Sequence, residues 1–344
     1  MALRSAWISR FMPNANEPKP GTRSHYHYNT LADRKKRMYE RIRKAMVLSE
    51  ESVTFAESMT VDESMELIES VLNDNPQIFW LKNGCEIMMG NGTTTLRFIP
   101  NRFAKEREKH KEALIKAAKD IHAKYVANKS DAYAIELAVH DLFASYVKYD
   151  GTDDDSSHSI IGPLLYKRGV CEGIAKAAAF LLNAYGVDTS VIFGRKKSDN
   201  VYHAWNVMKI GANWYLSDIT LDIQDNVGAP IRFYLNMDDA MASRTHVMKK
   251  PAGCNSKKNN YYVRKGTYFK RQKDADRYLM DYSIEIVGPP TERKLASVTY
   301  DFYVEEDSDT NHYVELLKEK YRKVGIGFGM SAVSAEGRFR ITLK

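Results

Sequence analysis

Cysteine is scarce in this chain, with three residues (Cys85, Cys171, Cys254) in 344 and no CxxC pair. An odd count at such wide spacing excludes a disulfide scaffold and a zinc ribbon, and leaves each thiol to be judged by its own surroundings. Long apolar runs are missing as well. The longest stretch, residues 177–182, is far short of the roughly 18–20 residues that a membrane span needs. Arg4, Ser5, Ser9 and Arg10 break up the apolar residues of the first eleven positions, so no secretory leader of the usual kind is expected and a cytoplasmic location is. An evenly basic surface is also lacking. The net charge is +7, but residues 1–50 hold 11 Lys/Arg against 4 Asp/Glu, while the remaining 294 residues hold 40 of each sign. A neutral body with a basic tail excludes reading the whole chain as a nucleic-acid binder.

What is present is an ordinary globular composition, 44% apolar and 28% charged, over a length that suggests two or three folded units. Residues 1–45 read as a basic arm, with Pro13, Pro18 and Pro20 in its first half and a charged helix over 33–44. One reading of it is a solvated helix packed loosely on the domain, and the other is docking to an acidic partner or anionic surface. Residues 46–101 read as a small α/β unit. It has a strand over 52–55, a helix opened by the capping box Thr60 and Glu63, and a hairpin turning at Asn91-Gly92. Residues 102–275 hold two amphipathic helices, over 104–126 and 132–147, and then a helix over 172–185 with strands near 189–193, 201–208 and 214–218. Residues 276–344 read as a β-rich unit with one helix. The acidic loop 150–157 lacks the spacing of an EF-hand and reads as solvated. The expected class is α+β.

Three residues stand out chemically. Cys171 opens a helix in Gly169-Val170-Cys171-Glu172-Gly173, where unpaired N–H groups and the helix dipole favour a thiolate. The flanking glycines suggest room for a substrate carbonyl, and a backbone N–H there suggests an oxyanion donor. His203 lies in the strand Tyr202-His203-Ala204-Trp205-Asn206, and Asp218 ends the next strand. With Ile210-Gly211 at the centre of the turn, positions 203 and 218 pair directly across the two strands. An Asp so placed orients the His, which in turn deprotonates the thiol. The Cys and the His each have a plain reading alone: a small buried apolar residue, and a half-buried, hydrogen-bonded strand residue. The order Cys, His, Asp on helix and hairpin is what raises the catalytic reading above it.

Gly-Val-Cys-Glu-Gly at 169–173, His-Ala-Trp-Asn at 203–206 and Ser-Asp-Ile-Thr-Leu-Asp at 217–222 resemble the transglutaminase-like superfamily of papain-type cysteine enzymes, in its bacterial branch. Asp74-Asn75-Pro76, Phe79-Trp80 and Ala138-Val139-His140-Asp141 resemble the segment preceding that domain. Phe233-Tyr234-Leu235, Asp238-Asp239, His246 and residues 251–254 resemble its continuation. The resemblance spans about residues 50–265. It implies a papain-like core with a nucleophile helix packed on an antiparallel sheet. It also implies Cys171 as nucleophile, His203 as general base and acid, and Asp218 as orienting carboxylate. Leu221 departs from the pattern, standing where relatives often carry Trp.

The expected activity is acyl transfer on a peptide or carboxamide bond through a thioester, with hydrolysis favoured over transamidation and a protein or peptide as substrate. No metal or organic cofactor is implied. The alternative is a non-catalytic protein- or peptide-binding module that keeps the fold. His140, Cys85 and Cys254 read as structural, and Trp205 as a core and cleft-wall residue. His158 reads as a loop residue, and the His25/His27 pair lacks partners for a metal.

Overall fold

Apolar stripes and caps start the elements, and their packing then joins segments that composition alone separates. The computed structural model describes residues 25–224, 230–282, 286–287, 294–295, 297–323 and 328–343. The fold is α+β and divides into two units, Met1–Ser256 and Lys257–Lys344. No helix among the described residues is long and apolar enough to cross a membrane.

In the first unit, after a short helical turn over Tyr26–Thr30, comes α1 (Asp33–Leu48), whose residues Met38, Tyr39, Ile42, Ala45 and Met46 form one buried stripe. They pack with Leu67, Ile68 and Val71 of α2 (Val61–Asp74). Thr60 accepts the Glu63 N–H at 3.1 Å and so caps α2. Buried Asp74 ties this corner together. It accepts from the N–H groups of His27 and Tyr28 (3.1 and 2.9 Å), from the Tyr39 hydroxyl (3.2 Å) and from the Ser190 hydroxyl (2.5 Å). Residues 25–45 therefore belong to the core and are not a detachable arm. Two of its basic side chains meet the chain's own acids: Arg34 pairs with Glu57 and Glu63, and Lys35 with Glu66. Net charge had hidden an apolar stripe. Residues 1–24, with the three prolines, lie outside the described residues.

A three-stranded antiparallel sheet follows, ordered β1 (Ser52–Phe55), β3 (Thr93–Pro100), β2 (Leu81–Gly90). Its hairpin turns at Asn91-Gly92, where Gly92 has φ +72°. Next come α3 (Arg107–Ile121) and α4 (Ala132–Tyr146), the latter capped by Asp131 on the Ala134 N–H. Phe55, Leu72 and Phe98 share one core with Leu114, Phe143 and Ile174, so segments 46–101 and 102–256 form a continuous body.

The centre of that body is α5 (Cys171–Ala184), apolar on nearly every side and buried accordingly. It packs on a sheet of β4 (Thr189–Lys196), β5 (Tyr202–Ile210) and β6 (Asn213–Ser217), with the short β7 (His246–Val247) on the free edge of β4. Asn206 opposes Ser217 and Ile210 opposes Asn213, which makes Gly211-Ala212 the central pair of the turn. This corrects the expected register by two residues. Gly211 has φ +63°, and a two-residue hairpin loop of this kind takes glycine at its first central position rather than its second. A shift of two preserves the face, so Asp218 stays on the His203 side as its diagonal neighbour. Asp218 itself immediately precedes α6 (Ile219–Gln224).

The second unit is a sheet in which the hairpin β9 (Met330–Ala335) and β10 (Arg338–Leu343) pairs with β8 (Val298–Val304). Strand Tyr268–Phe269 pairs with the other side of β8 in parallel. That pairing puts the division of the chain after Ser256 rather than near residue 275. Two helices, α7 (Gln272–Asp281) and α8 (Thr310–Arg322), share its apolar core through Leu279, Tyr313 and Leu317. Helix α7 falls where the sequence suggested loops, because Ala275 and Leu279 are its only buried side chains.

Candidate active site

Cys171, Ala175 and Ala179 recur every four residues and so share one stripe of α5. That stripe meets Val191 of β4 and Ala204 of β5. Small side chains on both sides let helix and sheet approach closely, and Asn206 locks the contact by donating to the Ala175 carbonyl at 2.9 Å. The thiol is therefore carried to the end of β5 where His203 sits. No side chain caps the N-terminus of α5, since Val170 occupies that position. Cys171 is half-buried, Cys85 is half-buried, and Cys254 is fully buried.

His203 is 4% exposed and opposes Gly194 on β4. A Cβ at Gly194 would lie 2.3 Å from the Val247 carbonyl oxygen and 2.6 Å from the Trp205 ring, so only glycine lets these groups close behind the imidazole. The Nε2 of His203 lies 2.6 Å from Oδ2 of Asp218. Asp218 is held from three further directions. Its Oδ1 accepts the Leu221 N–H at 3.0 Å, its own N–H donates to the Tyr234 carbonyl, and its Oδ2 accepts from His246 Nε2 at 2.9 Å. With Nε2 engaged by Asp218, Nδ1 is the other ring nitrogen, and the Cys171 thiol lies within electrostatic reach of the imidazole.

Burial disfavours charge on His203. The Asp218 carboxylate and its hydrogen bond, with a smaller contribution from the nearby Cys171 thiol, outweigh that cost and push the ring up to about 10. Burial works against Asp218 too, yet the two imidazoles hold its carboxyl well below the usual carboxylate range. Cys85 is pushed up to about 11 by burial, and burial raises Cys254 further. Neither has an imidazole partner in its electrostatics. Two exposed aromatics, Tyr149 and Tyr202, lie within electrostatic reach of Cys171, and Tyr202 stacks on Phe193 at 5.4 Å.

His203, Asp218 and His246 form the one group among the described residues whose ligand atoms converge as a metal site would require, all within 4.8 Å. Two hydrogen bonds onto one carboxylate oxygen account for that convergence. His246 is the residue whose place the sequence did not reveal. It comes from a two-residue strand 28 positions after Asp218, with no local pattern pointing back to it.

The remaining sequence candidates occupy other positions. Gly173 makes room for the protein's own backbone rather than a substrate: a Cβ there would lie 2.1 Å from the Ser157 carbonyl oxygen. Gly169 is likewise crowded by Pro163 and Ser157. His158 is ion-paired with Glu172 and Asp153, both at 2.7 Å, and Glu172 also holds Lys176. The His158 and Glu172 side chains border a cavity of about 360 Å³ that does not include Cys171. His140 is fully buried between Asp222 and Asp141. His27 contacts the Val191 carbonyl at 2.7 Å. Leu221 is half-buried on α6. Trp205 is a buried core residue against His203 and His246.

Residues 119–219, a span that contains Cys171, His203 and Asp218, match the sequence model of the Transglutaminase-like superfamily. No curated protein matches the chain. Among solved structures, a proposed cysteine protease from Cytophaga hutchinsonii is similar at 23% identity and a TM-score of 0.29, covering 31% of this chain and 37% of that one. A TGase is similar at 15% identity and a TM-score of 0.28, covering 53% and 54%. A proposed protease from Parabacteroides distasonis is similar at 9% identity and a TM-score of 0.25, covering 76% and 61%. The chain thus spans less than two thirds of the length of each.

Proposed function

We propose, from the premise that residues 119–219 belong to the transglutaminase-like superfamily, that this chain is a cysteine-dependent hydrolase of a peptide or carboxamide bond. The observation that carries the reading is the buried His203–Asp218 pair at 2.6 Å, with Cys171 within electrostatic reach of the same imidazole. An imidazolium held by a carboxylate favours the neighbouring thiolate, which is the reactive form of cysteine.

In the first half-reaction the Cys171 sulfur adds to the carbonyl carbon and the π electrons move onto oxygen. The N–H groups at the uncapped start of α5 are suited to receive that charge. The C–N bond then breaks, the leaving nitrogen takes the proton of His203, and a thioester remains. In the second half-reaction His203 removes a proton from water, the hydroxide adds to the thioester, and the C–S bond breaks to release a carboxylic acid. Asp218 keeps the proton on Nε2 throughout, so that Nδ1 faces the chemistry. Water is favoured as acceptor because it is always present to compete for the thioester.

The test is intact-mass analysis after brief iodoacetamide exposure near pH 7, with wild type beside Cys171→Ala. One adduct that maps to Cys171, absent in the variant, is expected at a rate at least 100-fold above that of Cys85 or Cys254. Equal labelling of the three thiols would overturn the enzyme reading and leave a binding module.

A further inference from the structure

Asp218 gives one oxygen, Oδ2, to two imidazoles: His203 at 2.6 Å and His246 at 2.9 Å, both through Nε2. An ionised carboxylate only accepts, so both rings carry a proton on Nε2. For His246 that tautomer has a visible cause. Thr245 Oγ1 lies 2.8 Å from Nδ1, while its other acceptor, the Ala242 carbonyl, is 3.4 Å away. The hydroxyl therefore donates to Nδ1 and leaves the proton on Nε2. The ring is 2% exposed and lies against Trp205, with centroids 4.5 Å apart, and edge-on to Tyr234. The charged or titratable groups facing it are Asp218, His203 beyond it, and Lys196, its register partner on β4, whose ammonium is paired with Asp199.

We propose that His246 is a positioning residue for the Cys171–His203–Asp218 site, holding the Asp218 carboxylate in place and dividing its charge between two rings. This inference rests on the function proposed above. A carboxylate that served His203 alone would bind the imidazolium more tightly and make it a poorer acid toward the leaving nitrogen. A second donor on the same oxygen weakens that hold and stops the carboxylate from turning. It does so without touching substrate.

The experiment compares His246→Phe, which keeps a flat ring without a donor, with His246→Gln, whose amide N–H reaches the same oxygen. The His203 ring titration is followed by NMR in the full chain, and the pH profile of Cys171 alkylation is recorded beside it. In the Phe variant the His203 midpoint and the basic limb of the profile should move up by about one pH unit, a tenfold change in the proton equilibrium. The Gln variant should stay within a few tenths of wild type. Where the Phe variant does not fold, Thr245→Val, which removes the hydroxyl that sets the tautomer, should shift the midpoint in the same direction. His203 midpoints that are alike in the Phe and Gln variants, or an unmoved midpoint in Thr245→Val, would overturn the role of His246. An unreactive Cys171 in wild type would instead sink the hydrolase reading, and the NMR titration would still decide the role of His246.

Discussion

Two buried histidine–aspartate clusters share α6, and they are built in opposite ways. At Asp218 one carboxylate serves two imidazoles, His203 and His246. At His140 one imidazole serves two carboxylates, Asp222 at 2.9 Å and Asp141 at 3.2 Å. Both rings are pushed up against the cost of burial, His203 to about 10 and His140 to about 9, so charge alone does not tell them apart. Their neighbours do. His203 has the Cys171 thiol within electrostatic reach, whereas the His140 cluster ends in backbone and an ion pair. Asp222 accepts the Phe233 and Tyr234 N–H groups, and Asp141 holds Arg232 through two hydrogen bonds. The second cluster is a clasp joining α4, α6 and residues 232–234. A His–Asp pair is therefore a means of fixing an imidazole, and a reactive neighbour is what turns it toward chemistry.

The sharpest way to break this contrast is to neutralise each aspartate in turn. Asp218→Asn should slow turnover by roughly 10³–10⁴-fold, the loss expected when the orienting carboxylate of a triad becomes an amide, while the variant stays folded. Asp222→Asn should keep Cys171 alkylation within a few-fold of wild type and lose about 2–3 kcal/mol of stability, because a buried acceptor of three donors is compromised. Alkylation kinetics and denaturant melts separate the two. A rate loss in Asp222→Asn as large as that in Asp218→Asn would erase the distinction.

A smaller effect is expected in the pH dependence of stability. A histidine whose folded pKa is raised contributes stability that is fully present below its unfolded value near 6.5 and is lost as pH rises through the folded value. The melting temperature should thus decline above pH 6.5, with the His140 share gone near 9 and the His203 share near 10. Thermal melts across that window should show His140→Gln lacking the earlier part and His203→Gln the later part. Identical slopes in all three proteins would show that neither ring is charged in the fold.

The smallest effect belongs to the outer end of the clasp. Asp141 and Arg232 are only partly buried, at 30% and 22% side-chain exposure, so screening by solvent leaves their pair worth about 1 kcal/mol or less. Asp141→Asn should lower the melting temperature slightly and leave the Cys171 rate untouched. A rate change there would mean that the two clusters communicate through α6.

Much of the local architecture was legible because its causes lie within a few residues. The Thr60–Glu63 cap, the Asn91-Gly92 hairpin and the strand over 52–55 each depend on neighbours in the chain. So does the four-residue spacing that puts Cys171, Ala175 and Ala179 on one stripe of α5. The His203–Asp218 contact was legible only to the level of the face. Side-chain direction alternates along a strand, so an error of two in register left it intact. The burial of α1 was not legible, because its basic composition masks a stripe that only α2 reveals. Helix α7 escaped for the opposite reason, having only two fully buried positions, Ala275 and Leu279.

What the sequence by itself determined is the inventory and the short-range geometry: a cysteine at a helix start, a histidine on one strand and an aspartate just past the end of the next, and the caps and turns that begin and end these elements. Only the tertiary structure decided that Asp74 would gather His27, Tyr28, Tyr39 and Ser190, and that the glycines beside Cys171 would admit Ser157 rather than a substrate. It also decided that His246 would share an oxygen with His203. Periodicity and capping act over three or four residues, whereas a buried polar group takes whatever partner the packed core brings within hydrogen-bond reach, however distant in the chain.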